Sequence, residues 1–216
     1  MRRTAAALIL VIWAVGAGAI ETRAQQVVDR IVARINGDVL TLSEMRELAG
    51  FQQLTSATRA SDDELLRQLV DQWIVSTEAS AERFPRPAPA VVSQAMERLE
   101  KQLASPEALR SRLGEVGLAE AAARRLLEQQ IYLLQFLDQK FRAAAQVEPA
   151  QIDAYYRQEL VPQLAARGQQ APPLESVREQ IRELLVQREI SRLAARWLEE
   201  SRANVKVEVV AAKGNS

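Results

Sequence analysis

Neither cysteine nor histidine occurs anywhere in this chain of 216 residues. Without cysteine there can be no disulfide, no thiolate nucleophile and no cysteine-ligated metal site. Without histidine the usual general base near neutral pH and the commonest metal ligand are gone. Neither a Ser-His-Asp nor a Cys-His centre can therefore be assembled. A glycine-rich phosphate loop is also missing. A surplus of one charge is lacking too: 28 Lys+Arg stand against 28 Asp+Glu. Binding to nucleic acid or to an anionic membrane draws on clustered cations, and here the arginines alternate with glutamates as they do on solvated helix faces. Carboxylates remain as candidate chemistry through Asp62, Asp63, Glu64, Glu199 and Glu200. The first three follow Ser61 at a helix start, where acids favour the positive end of the dipole. The last two fall on the polar side of a helix. Both groups read as capping and solvation, and the chain is expected to have no catalytic residue, cofactor or metal.

What is present begins with an apparent export signal. Arg2 and Arg3 form a basic start, an apolar run over residues 5–20 follows, and Thr22-Arg23-Ala24 offers small residues at the cleavage positions. Ala17-Gly18-Ala19 is a competing site. The run is short against the roughly 20 apolar residues of a membrane span. Cleavage after Ala24 would leave about 190 residues, enough for one compact domain. Removing Arg2, Arg3 and Arg23 with Glu21 would leave 25 Lys+Arg against 27 Asp+Glu. Stable membrane insertion after cleavage is not expected.

The next segment, QQVVDRIVARINGDVLTLSEMR over residues 25–46, is the most informative. Two β-branched runs, 27–35 and 39–42, flank Asn36-Gly37, a pair suited to the positive φ angles of a type I′ turn. Thr41 then precedes Glu44 by the spacing of a capping box. The reading is a tight hairpin running directly into a helix at about 43–54. Ser61 with Glu64 is a second capping box and opens a helix to about Phe84, with Leu65, Leu66, Leu69, Val70, Trp73 and Ile74 on one stripe. Three prolines within 85–89 break the chain. A helix is expected at about 90–103, and Ser105-Pro106 starts a short one ending near Gly117, a glycine suited to a left-handed C-cap. Residues 118–145 then form what reads as the longest helix. Its segment 131–137, IYLLQFL, is apolar almost all round, so it is either wrapped by neighbours or offers a second apolar face.

A hairpin leading straight into a capped helix after an export signal resembles the start of the SurA-type periplasmic chaperones, relatives of the parvulin prolyl isomerases. The matching stretches are VVDRIVARING and TLSE. The order of elements is similar to that family's N-terminal domain, and ALRSRLGEVGL resembles its short helix and glycine before a long helix. VEPAQIDAYY (147–156) is similar to the family's V-[ST]-P-x-x-[IV]-x-x-Y-Y helix, with Glu148 where the family prefers a hydroxyl cap. Residues 174–210 resemble its C-terminal helix and closing strand, in which Val205, Val207 and Val209 alternate with Lys206 and Glu208 as in a half-buried strand. Between these two matches the full-length family carries parvulin domains. Here only VPQLAARGQQAPP (161–173) intervenes.

The fold expected is mainly α with a small antiparallel sheet: an N-terminal hairpin, a multi-helix body, and a C-terminal helix plus strand folding back onto them. Its parts are a signal peptide over 1–24, a SurA-like chaperone domain over 25–160, a link over 161–173, a closing segment over 174–210 and a disordered tail over 211–216. The resemblance implies an ATP-independent periplasmic chaperone that holds unfolded outer-membrane or other envelope polypeptides in an apolar cradle, with no isomerase domain. Phe51, and Tyr132 with Phe136, are the candidate client-binding residues; the alternative for each is ordinary core. Two other functions stay open at this stage, a non-catalytic adaptor or structural subunit of an envelope complex and a residual prolyl isomerase. The sequence leaves the oligomeric state and the identity of the clients undetermined.

Overall fold

In the computed structural model, which describes residues 29–56 and 58–210, chain reversal begins at Asn36-Gly37. The φ angles there are 47° and 101°, the two positive values that a type I′ turn requires. The turn joins β1 (Ile31–Ile35) to β2 (Asp38–Thr41), with Ile35 opposite Asp38 and an irregularity between Ile31 and Ala33. Gly37→Val should lower stability by about 1 kcal/mol or more, because a β-branched residue resists φ > 0. Thermal melting checks this, and an unchanged Tm would contradict it. The expected signal and its cleavage site, the Val27 and Val28 end of the first β-branched run, and the expected tail all lie outside the described residues.

Both capping boxes form as the spacing predicts. Glu44 N–H donates to Thr41 Oγ1 at 3.3 Å and Thr41 N–H donates to Glu44 Oε2 at 2.8 Å, opening α1 (Leu42–Thr55). Ser61 and Glu64 repeat the exchange at 3.3 and 2.7 Å, opening α2 (Asp62–Ala81). The second helix stops short of the expected Phe84. Arg83 takes φ 55°, and Phe84 N–H turns back to donate to the Ala79 carbonyl at 2.8 Å. This is a Schellman-type ending in which the residue after the left-handed one folds inward.

The proline-bearing segment leads to α3 (Pro89–Gln102), then α4 (Pro106–Glu115), whose first turn is capped by Ser105 Oγ accepting from Ala108 N–H at 3.1 Å. Gly117 has φ 66°, as the C-cap reading requires. The next helix, α5 (Glu120–Phe141), has 22 residues and is shorter at both ends than expected. Among the described residues the longest helix is instead α8 (Leu174–Arg202), at 29 residues.

Part of the expected link 161–173 is helical. α6 (Pro149–Tyr155) runs through one π-helical turn at Tyr156–Leu160 into α7 (Val161–Ala166), so nearly half of that link is helix. The wide turn, closed by Val161 N–H donating to the Tyr156 carbonyl, accommodates Pro162. Proline brings no N–H to the carbonyl four residues back and its ring would crowd it. At the head of α6, Glu148 takes the N-cap place, and its N–H donates to Gln151 Oε1 at 2.7 Å.

The chain closes on itself. After α8, β3 (Val207–Val209) pairs antiparallel with β1, giving a three-stranded sheet of order β2-β1-β3. Two strands alone are marginal in water, and the third comes from the far end of the sequence. The fold is therefore mainly helical with a small antiparallel sheet that joins its two ends. The strand departs from expectation in one respect: Val207 and Val209 are exposed, not half-buried.

Three apolar clusters form among the described residues. Beneath the sheet, Val32, Ala33 and Ile35 meet Leu48, Leu69 and Ile74. At one end Met96 and Leu99 meet Leu109, Leu113 and Ala123. Between α2 and α5, Val75 and Ala79 pack on Tyr132, Leu133 and Phe136, with Trp197 and Leu198 of α8 alongside. A bidentate pair fastens the last turn of α8 to α2: Arg202 Nε and Nη2 donate to the Asp71 carboxylate at 2.6 Å each. No helix among the described residues is long and apolar enough to cross a membrane.

Candidate functional site

Helices α1, α2, α5 and α8 do not close completely against one another. They leave a cleft of about 370 Å³. Its floor is aliphatic and aromatic: Leu48 and Phe51 from α1, Val75 from α2, Leu133 and Leu137 from α5, and Leu198 from α8. Leu134 stands at its mouth and is 58% exposed, a large apolar side chain left in water. The rim is amide. Gln52, Gln68, Gln72, Gln129 and Gln130 all border the cleft.

Helical geometry explains how α5 serves the cleft and the core together. Residues 126, 130, 133, 134 and 137 recur at helical spacing along one side, whereas 132 and 136 lie on another. The sequence run that reads as apolar all round thus divides: Leu134 stands at the cleft mouth, Tyr132 and Phe136 belong to the core, and Leu133 and Leu137 are shared between cleft and core.

The polar groups around the cleft are partly committed to one another. Gln52 Nε2 donates to Gln68 Oε1, and Gln129 Nε2 donates to Ser76 Oγ at 2.8 Å. Gln72 and Gln130 make no side-chain hydrogen bond among the described residues. Asp71 is the single charged side chain among the described lining residues, and Arg202 neutralises it. Hydrogen bonding to Asp71 raises the Arg202 pKa in turn. Among the described residues the cleft therefore presents apolar surface and neutral amides, its one charged side chain being paired. An amide carries both donors and an acceptor, so such a rim can meet peptide N–H and C=O groups of any sequence.

Strong electrostatics lie elsewhere. Arg142, just past α5, bridges Asp138 at 2.7 Å and Glu183 of α8 at 2.8 Å. Hydrogen bonds from Arg142 hold the Glu183 carboxyl down to about 2 and lower Asp138 as well. This cluster ties α5 to α8 and stands apart from the cleft. Among the described residues no group of three or more Asp, Glu, His or Cys is placed to hold a metal ion. The carboxylates singled out in the sequence are peripheral: Glu64 belongs to its capping box and the hydrogen bond with Ser61 lowers its pKa, while Glu199 and Glu200 face solvent.

The structure separates the three candidate client-binding residues. Phe51 lines the cleft. Tyr132 and Phe136 do not; they are 1% and 0% exposed, behind the floor. Phe84 packs on them, its ring 5.6 Å from Tyr132 and 5.5 Å from Phe136, and joins Val75, Ala79 and Leu133 in keeping them from solvent. Sequence reasoning missed Leu48, Leu134 and the glutamines. Their signal was present: Gln68 and Gln72 share one face of α2, and Gln130 shares one with Leu133, Leu134 and Leu137 on α5, at three- and four-residue spacings.

No protein-family model matches the chain, and no curated protein matches it either.

Proposed function

We propose that the protein is an ATP-independent, non-catalytic chaperone of the periplasm that holds unfolded envelope polypeptides, including outer-membrane proteins, in the cleft between α1, α2, α5 and α8. The observation that carries this reading is the pairing of an apolar floor with an uncharged glutamine rim. The order of sequence elements, similar to that of the SurA-type chaperones, supports it. Apolar side chains of an extended client enter the floor, and each buried CH₂ contributes about 0.8 kcal/mol. The rim amides exchange hydrogen bonds with the client backbone and with water at little net difference, which keeps release easy. Binding of this kind tolerates many sequences and is insensitive to salt, because no cation–anion pair forms.

The test is suppression of aggregation of a denatured β-barrel protein, without nucleotide, run beside a prolyl-peptide isomerisation assay. The expected result is slowed aggregation that persists at high salt, with isomerisation at the uncatalysed rate of tens to hundreds of seconds. Leu134→Glu should reduce holding several-fold while leaving the Tm nearly unchanged, since the side chain is already 58% exposed. Failure to hold any unfolded client would sink the proposal, and measurable isomerase turnover would overturn its non-catalytic part.

A further inference from the structure

The outer edge of β3 is unpaired among the described residues, since the sheet order leaves this strand at one side. Its inner edge is fully used. Asn36 N–H donates to the Lys206 carbonyl at 3.1 Å, Lys206 N–H to Asn36 Oδ1 at 3.0 Å, and Val210 N–H to the Val32 carbonyl at 2.9 Å. Main-chain groups alternate sides along a strand, so those of Val207 and Val209 point away from β1. Their side chains lie on the same face as their partners Ile35 and Ala33, which are buried, yet Val207 is 38% and Val209 65% exposed. The apolar face of the sheet thus runs out past the last covered strand. On the opposite face, Lys206 and Glu208 alternate with these valines and pair within the strand at 2.6 Å.

We propose that the occupant of this edge is a second copy of the same chain, the two strands pairing antiparallel about a two-fold axis through Val207. The charge pattern selects this partner and this register. A strand paired with itself about Val207 sets Lys206 opposite the second copy's Glu208 and Glu208 opposite its Lys206, so both cross-strand pairs are attractive. Val207 meets Val207, while Val209 falls opposite Val205, which lies in the bend before β3, its N–H donating to the Arg202 carbonyl at 3.2 Å, and packs against the cluster beneath the sheet. A register centred one residue later would set Glu208 against Glu208 and leave Lys206 opposite Val210. The two-fold register also places outward-facing N–H and C=O groups of Val207 opposite each other, where they exchange hydrogen bonds. The result is a continuous six-stranded sheet with an isologous interface. Because so few residues meet, the dimer is weak and its population depends on concentration.

Sedimentation velocity of the purified protein over a wide concentration range tests this, with charge reversals as the decisive variants. Lys206→Glu alone and Glu208→Lys alone each make both cross-strand pairs repulsive, and each should weaken dimerisation about tenfold or more. The double variant carrying both reversals restores two attractive pairs, and so does an equimolar mixture of the single variants; both should dimerise like the unaltered protein. Val207→Pro removes an outward N–H without touching a bond to β1 and should also abolish the dimer. A melting curve for each variant separates loss of pairing from loss of fold, the two charged side chains being 78% and 53% exposed. A protein that stays monomeric throughout the range, or single reversals that leave dimerisation unchanged, would overturn the proposal. So would a mixture that fails to restore it.

Discussion

Phe136→Ala is expected to lower the stability of the folded chain by about 3–5 kcal/mol, the range for removing a buried aromatic side chain from a core that cannot collapse around the gap. The site has little freedom to relax. Phe136 is fully buried among Val75, Ala79 and Leu133, and the Phe84 ring sits edge-on to it. Lys140 stands 5.4 Å from its ring centre while bonded to Glu78 and Glu82 at 2.9 Å each, which fixes that side of the pocket. Leu134, two positions earlier on the same helix, supplies the control. It is as apolar but 58% exposed, and Leu134→Ala should change stability by no more than about 0.5 kcal/mol. Denaturant unfolding of the two variants measures the contrast directly. Equal costs would mean that the division of α5 into a core face and a cleft face is wrong. The pair also separates folding from function, because the proposal assigns client holding to Leu134 and none to Phe136.

That division shows where sequence reading reached its limit. The hairpin, both capping boxes and the left-handed Gly117 were legible because each depends on residues within a few positions of one another. Asn-Gly, Thr-x-x-Glu and Ser-x-x-Glu encode their own local geometry. The return of the C-terminal strand was legible from the resemblance and from the instability of an isolated hairpin. Other features depend on contacts far apart in the chain. The burial of Tyr132 depends on Val75 and Ala79 of α2 and on Phe84, 48 residues earlier, which the unforeseen turn at Arg83 brings inward. The exposure of Val207 and Val209 is equally hidden from the sequence, since alternation names a face without saying whether anything covers it. Glutamines carry no such signal by themselves: on a helix they resemble any solvated polar residue unless an apolar floor lies between them.

Removal of residues 204–216 is expected to abolish a sharp unfolding transition and to bring aggregation with it. The deletion takes away β3, and with it the main-chain bonds that reach Asn36 and Val32. What is left is a two-stranded hairpin, marginal by itself. Its newly opened edge is β1, whose Ala33 and Ile35 are fully buried in the intact chain. An apolar strand with free N–H and C=O groups along one side is a template for pairing with other chains. Loss of Val205 also uncovers part of the cluster in which Trp197 and Leu198 meet the sheet. The effect should spread beyond the sheet, because Leu198 both supports that cluster and forms part of the cleft floor. The Arg202–Asp71 pair survives the deletion, so α8 stays tethered to α2 at one point. Scanning calorimetry and light scattering test the outcome together. A truncated protein that melts as cooperatively as the intact one, and stays clear, would show that the helical body stands without the sheet that joins its ends.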